Sequence, residues 1–92
     1  MPGELVEEVI VLTGGGDGIG AKCALAYARE GATVAILDHN LEVAERTAAE
    51  AGGGAIALQV DVAHGPALEA AMRYVLDRFH RIDAVHNNAG VA

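Results

Sequence analysis

One stretch limits what this chain can become: Thr13-Gly14-Gly15-Gly16-Asp17-Gly18-Ile19-Gly20. It follows a short apolar run, Val9-Ile10-Val11-Leu12, and precedes a helical pattern from Ala21 to Glu30. A glycine cluster between a strand and a helix is the context in which such a motif carries meaning. Gly14 lets the chain leave the strand in a sharp turn. Gly18 permits close approach of a pyrophosphate, and Gly20 permits close helix packing. The helix start adds unpaired N–H groups and a positive dipole end. The stretch therefore reads as a phosphate-binding turn for a dinucleotide, the alternative being a strand-to-helix turn with no ligand. A Walker A loop is excluded, because Gly20 is followed by Ala21, Lys22 and Cys23 where that loop needs Gly-Lys and then Ser or Thr.

The rest of the chain alternates in the same way. Ile19, Cys23, Ala24, Tyr27 and Ala28 recur at helical spacing, and Gly31 is a candidate helix stop. Thr33 to Leu37 is a second apolar run, ending at Asp38. Asn40 is placed to cap a helix whose stripe is Leu41, Ala44, Ala48 and Ala51, closed by Gly52-Gly53-Gly54. Ala55 to Val60 is a third strand candidate. Gly65 and Pro66 open a third helix with an apolar stripe of Leu68, Met72, Val75, Leu76 and Phe79. Ile82 to His86 is a fourth strand candidate, running into Asn87-Asn88-Ala89-Gly90. This β-α-β-α-β-α-β order implies an α/β fold: a Rossmann-like parallel sheet of about four strands in order 3-2-1-4, with three helices. The ligand crevice is expected at the carboxyl ends of strands one and four. Residues 1–92 read as a single dinucleotide-binding half-domain, since 92 residues leave no room for a second domain.

Composition narrows the function classes. Hydrophobic content is 52% with only 3% aromatic, so the core must come from Ala, Val, Ile and Leu. The net charge of −7, with no basic run, argues against nucleic acid and against anionic membranes. Cys23 is the single cysteine, which excludes an internal disulfide, fits a reducing cytoplasm, and reads as a small core residue. Met1 to Glu8 lacks the features of a signal peptide, and no apolar run approaches a membrane span. His39, His64, His80 and His86 show no ligand spacing, so no metal is expected, and nucleophilic hydrolysis has no candidate.

Two acids extend the candidate site. Asp38 lies eighteen residues after Gly20, at the end of the second strand. A carboxylate there accepts hydrogen bonds from both adenosine ribose hydroxyls and repels a 2′-phosphate. No arginine or lysine flanks it, and Asp17 adds negative charge, so the pattern favours NAD over NADP. Its alternative is a solvated strand-end acid. Asp61 also closes a strand, where it either reaches the adenine amino group with Val62 lining the base pocket, or acts as a turn or capping acid.

Together the glycine stretch, Asp38, Asp61-Val62 and Asn87-Asn88-Ala89-Gly90 resemble the amino-terminal half of a short-chain dehydrogenase/reductase, from about Glu8 to Ala92. The resemblance implies a pyrophosphate on Thr13, Gly14, Asp17, Gly18, Ile19 and Gly20, the ribose on Asp38, and the adenine on Asp61 and Val62. It implies that the segment containing Asn88, Ala89 and Gly90 supports the sheet and faces the nicotinamide ribose. Two positions depart from the family: Asp17 stands where a small hydroxyl residue is usual, and His80 where a glycine is usual.

In the family, hydride passes between nicotinamide and a carbon bearing oxygen. A tyrosine acts as acid/base, helped by a lysine, a serine and an asparagine. These lie beyond Ala92; this sequence has no serine, and its one lysine is Lys22 in the first helix. The expected function is the NAD-binding part of an alcohol/carbonyl oxidoreductase, inactive alone, whose small-molecule substrate needs the missing half. The alternatives are a stand-alone nucleotide-binding module and a fragment without turnover that associates through its exposed edge, and homo-oligomerisation stays open. A methyltransferase shares the glycine turn and strand-end acid but leaves Asn87-Asn88-Ala89-Gly90 without a role.

Overall fold

Val9–Thr13 forms β1, and every one of its residues is buried. An apolar run with no polar alternation suits a strand covered on both faces. In the computed structural model, which describes residues 3, 5–15 and 18–88, β1 is followed by α1 (Gly18–Arg29), β2 (Thr33–Asp38), α2 (Leu41–Ala51), β3 (Ile56–Gln59), α3 (Gly65–Phe79) and β4 (Ala84–Asn87). The four strands form one sheet in the order β3-β2-β1-β4. All three pairings are parallel, with Val9 opposite Thr33, Ile10 opposite Ala84, and Ala35 opposite Ile56.

Alternation along the two inner strands builds two cores. Val9 and Val11 of β1, with Ala35 and Leu37 of β2, point to one face, where Ala71 and Val75 of α3 cover them. Leu12, Val34 and Ile36 point to the other, where Ala24 of α1 and Ala44 of α2 close over them. Small residues at the helix contacts let the backbones lie close to the sheet. Leu12, Ile36, Leu37, Val11, Val34 and Val75 are the largest fully buried side chains. Each contributes about 1.5–3 kcal/mol relative to exposure. Cys23 packs against the second core, as expected of a small apolar residue.

Local signals set the helix ends. The Asn40 side chain accepts from the Val43 N–H at 3.2 Å and starts α2. Pro66 stands in the first turn of α3, where its missing N–H costs nothing. Gly31, at φ 100°, reverses the chain after α1, with the Ala32 N–H bonded to the Tyr27 carbonyl at 3.1 Å. His80 ends α3 in the left-handed region, at φ 68° and ψ 8°. A histidine bears more strain in that region than the glycine usual in the family would.

Several boundaries and faces differ from the sequence reading. α1 begins at Gly18, inside the glycine stretch, not at Ala21. β3 is shorter than Ala55 to Val60. β4 starts at Ala84, not Ile82, because Asp83 is taken up at the far end of β1. There the Asp83 Oδ2 accepts the Val9 N–H at 2.7 Å, and the Asp83 N–H donates to the Val9 carbonyl at 2.8 Å. Two stripe residues face outward: Ile19 is 73% exposed and Leu76 is 47% exposed. Ala71 takes the buried place that the spacing gave to Leu76. Among the described residues no helix is long and apolar enough to cross a membrane.

Candidate functional site

The glycine turn is tied down on two sides. The Gly14 N–H, at φ 68°, donates to the Leu37 carbonyl at 2.7 Å, which fastens the turn to the end of β2. The Gly14 carbonyl accepts from Asn88 Nδ2 at 3.1 Å, which fastens it to the end of β4. The Asn88 N–H also donates to the Thr13 carbonyl at 3.1 Å.

Gly18 and Gly20 do different work. Gly18 opens α1 at φ 40°, and a Cβ there would meet nothing within 4 Å. At Gly20 a Cβ would stand 2.3 Å from the Gly14 carbonyl oxygen, 2.8 Å from the Gly15 Cα and 3.0 Å from Asn88 Nδ2. The close approach at Gly20 is thus between the helix and the turn itself, rather than between the helix and the sheet. Gly15, which sequence reasoning left without a role, is needed too: its Cβ would collide with the Leu12 side chain at 2.7 Å. The first turn of α1 carries no acidic residue, and its first N–H groups have no partner within the helix.

At the carboxyl ends of β1, β2 and β3, a cavity of about 110 Å³ is lined by Gly14, Asp38, His39, Val60, Asp61 and Val62. The turn and both acids singled out from the sequence thus meet in one place. Asp38 is only 7% exposed. Its Oδ1 accepts the Asn40 N–H at 2.9 Å and lies 3.2 Å from His39 Nδ1. Asp61 lines the cavity and also closes a turn, its Oδ1 accepting the Ala63 N–H at 3.0 Å. The turn reading of Asp61 is therefore met, and the residue also borders the cavity. A second cavity, of about 320 Å³, lies on the β4 side of the β1 end and is lined by Thr13, Val62, Leu68, Met72, Val85 and Asn87 among others. Val62 borders both cavities.

The remaining candidates divide. Thr13 is buried, and its hydroxyl donates to Asn87 Oδ1 at 2.8 Å, so it braces β1 against β4. Ile19 stands exposed at the mouth of α1. Asp17, Ala89 and Gly90 lie outside the described residues. Sequence reasoning missed His39, Asn40 and Val60 as parts of the Asp38 environment. Their adjacency to the two strand-end acids was the available signal.

Tyr27, His86 and Arg78 are engaged away from this site. The Tyr27 hydroxyl lies 2.5 Å from His86 Nδ1, linking α1 to β4, with the two rings edge to face. Arg78 lies over the Phe79 ring at 5.5 Å. No cluster of metal-ligating residues occurs among the described residues.

Comparison with known proteins gives the same picture. The family model described as short chain dehydrogenase matches residues 8–92. Sorbitol dehydrogenase of Cereibacter sphaeroides is 46% identical over 81 residues, covering 88% of this chain and 32% of that protein. D-threitol dehydrogenase of Mycolicibacterium smegmatis is 44% identical over 88 residues, covering 92% and 34%. Among solved structures, NAD+-bound xylitol dehydrogenase superposes with a TM-score of 0.91 at 34% identity, over 95% of this chain and 35% of that one. The 3-ketoacyl-(acyl-carrier-protein) reductase of Brucella melitensis, complexed with NADH, gives a TM-score of 0.85 at 34% identity, over 89% and 34%. The chain spans about a third of the length of these relatives. With the sheet order, the glycine turn and the matched residues in agreement, the chain belongs to the short-chain dehydrogenase family.

Proposed function

We propose that residues 1–92 are a dinucleotide-binding half-domain, the NAD-binding part of a cytoplasmic oxidoreductase that moves hydride between a nicotinamide cofactor and an alcohol or carbonyl substrate. One observation carries the reading: the Gly14 turn, Asp38 and the Asp61-Val62 pair border a single cavity at the carboxyl ends of three adjacent strands. Open parallel sheets bind nucleotides along this carboxyl edge, although the cavity lies on the β2–β3 side of β1 and not in the β1–β4 crevice expected from the strand order. Gly18 suits close approach of a pyrophosphate, since even an added Cβ there would meet nothing within 4 Å. In this reading Gly14, Asp17, Gly18, Ile19 and Gly20 hold the phosphates, with Thr13 bracing the turn. Asp38 holds the ribose, Asp61 and Val62 the adenine, and Asn88, Ala89 and Gly90 the nicotinamide ribose side.

NAD is the proposed cofactor in preference to NADP. A buried carboxylate at the ribose position accepts hydroxyl donors and repels a phosphate dianion. The bound nicotinamide supplies the hydride chemistry, while this chain's residues bind and orient. Turnover is not assigned to the chain by itself. It has no serine, and its Tyr27 hydroxyl is committed to His86.

Calorimetric titration tests the binding claim. NAD is expected to bind more tightly than NADP, and Asp38→Ala to lose about 1.5–3 kcal/mol of NAD affinity, the scale of hydrogen bonds to a charged group. A folded chain with no heat of binding at millimolar NAD would refute the proposal. An NADH-consumption assay across simple ketones is expected to read zero, and NADH-dependent alcohol formation would overturn the assignment of binding without turnover.

A further inference from the structure

β4 ends the sheet, and among the described residues its outer edge pairs with no strand. Thr13 stands opposite Asn87 and bonds to the residue after it, the Asn88 N–H donating to the Thr13 carbonyl. Continued along the parallel ladder, this pattern turns Ala84, His86 and Asn88 toward β1, and it turns the N–H and C=O of Val85 and Asn87 outward. The edge carries none of the usual guards: Ala84–Asn87 contains no proline, lysine, arginine or acid. The nearest charge, Asp83, is held by Arg81 and by the Val9 N–H. We propose that this edge pairs with itself: two copies of the chain join β4 to β4 antiparallel, about a two-fold axis at His86. The inference does not depend on the nucleotide reading.

The register follows from which groups face outward. With the axis at His86, Val85 of one copy stands opposite Asn87 of the second, and the outward groups of both residues are used in about four backbone hydrogen bonds. An axis at Val85 would instead set Asn87 against Asp83, whose N–H is already given to the Val9 carbonyl. The strand is fixed before it meets a partner, since Asn87 Oδ1 accepts from the Thr13 hydroxyl and the Tyr27 hydroxyl lies 2.5 Å from His86 Nδ1. A preformed edge loses little freedom on pairing. Val85 is 51% exposed beside the cavity it shares with Leu68 and Met72, so its side chain gains cover as well. β3, at the opposite edge, offers less, because Ile56, Ala57 and Leu58 are already half-buried. The net charge of −7 on each copy opposes the pairing, and salt screens that repulsion.

Sedimentation equilibrium from about 10 μM to about 1 mM tests this, the range in which a small interface associates. The native chain is expected to approach twice the monomer mass, and to do so at lower concentration when salt is raised. Val85→Lys is expected to weaken the dimer by about tenfold or more, because lysine guards an edge. Val85→Pro removes an outward N–H, which an edge strand tolerates, and is expected to act in the same direction. Tyr74→Lys, at a residue equally exposed on α3, is expected to leave the dimer unchanged. Circular dichroism confirms that each variant is folded. The register has its own readout in a Cys23→Ala background. Residues on the axis lie about 4.5 Å apart, within disulfide reach, so oxidation is expected to link His86→Cys copies more readily than Val85→Cys copies. A monomer at every concentration overturns the proposal and leaves the edge to another occupant, such as a further strand of a longer chain. A dimer indifferent to both Val85 changes also overturns it, and preferential linkage through Val85→Cys overturns the axis at His86.

Discussion

Replacing Gly20 by alanine sets a helix-favouring change against a steric one. In an open helix, Gly→Ala gains about 1 kcal/mol. Here the new methyl would stand 2.3 Å from the Gly14 carbonyl oxygen and 2.8 Å from the Gly15 Cα. Ordinary contact begins near 3.4 Å, so the turn must retreat by about 1 Å. Two of the three colliding atoms are backbone and cannot rotate away. The movement also strains the bond from Asn88 Nδ2 to the Gly14 carbonyl and that from the Gly14 N–H to Leu37. Overpacking costs about 1–3 kcal/mol, and a weakened hydrogen bond about 0.5–1.5 kcal/mol. After the helix gain is subtracted, the net loss is about 0.5–3.5 kcal/mol, a sizeable part of the roughly 5–14 kcal/mol expected for a chain this size. Urea unfolding followed by circular dichroism reads it. Gly18→Ala is the control: its space is open, so only the strain of φ 40° opposes the helix gain, and the change is near neutral. Asn88→Ala in the Gly20→Ala background should not restore stability, because the backbone clashes remain. A Gly20→Ala chain as stable as the native one, or Gly18→Ala as the worse of the two, would refute the argument.

Two further outcomes follow from the ends of elements. His80→Gly removes a left-handed non-glycine residue at the end of α3. It relieves about 1–2 kcal/mol and returns about 0.5–1 kcal/mol to unfolded-state entropy, so the melting temperature should rise by a few degrees; a fall would show that the histidine side chain is stabilising instead. Asp83 is held below the usual carboxylate range, first by its hydrogen bonds from Arg81 and then by the Val9 N–H. A lowered folded-state value means a contribution present at neutral pH and lost as pH falls below about 4 through that value. The stability gap between the native chain and Asp83→Asn should therefore be open at pH 7 and close in acid, and a gap that widens in acid would contradict the role given to the carboxylate.

How much was legible in the sequence differs by kind of interaction. The parallel order β3-β2-β1-β4 could be read because unbroken apolar runs, glycine stops and helical stripes agree with one another. The cap at Asn40 and the first-turn proline Pro66 are local and were read directly. Faces were less legible: Leu76 fits the α3 stripe by spacing, but Ala71 fits the sheet better because it lets the helix lie closer. The start of β4 was hidden, because the Asp83 bond to Val9 joins residues far apart in sequence. In the site, Asp38 and Asp61 were readable as strand-end acids, while the clamp of Asn88 on Gly14 exists only once β1 and β4 are paired.

The central claim is a location: a nucleotide seated where the glycine turn, Asp38 and Asp61 converge. Amide chemical-shift mapping on the isotopically labelled chain, titrated with NAD, tests it residue by residue. The account predicts the largest shifts at Gly14, Gly18 to Gly20, Asp38, His39, Asp61 and Val62, with Glu69 and Arg73 on α3 and Arg29 and Glu50 on the far helices unmoved. Shifts gathered on those distant helices, or none anywhere at millimolar NAD, would contradict it.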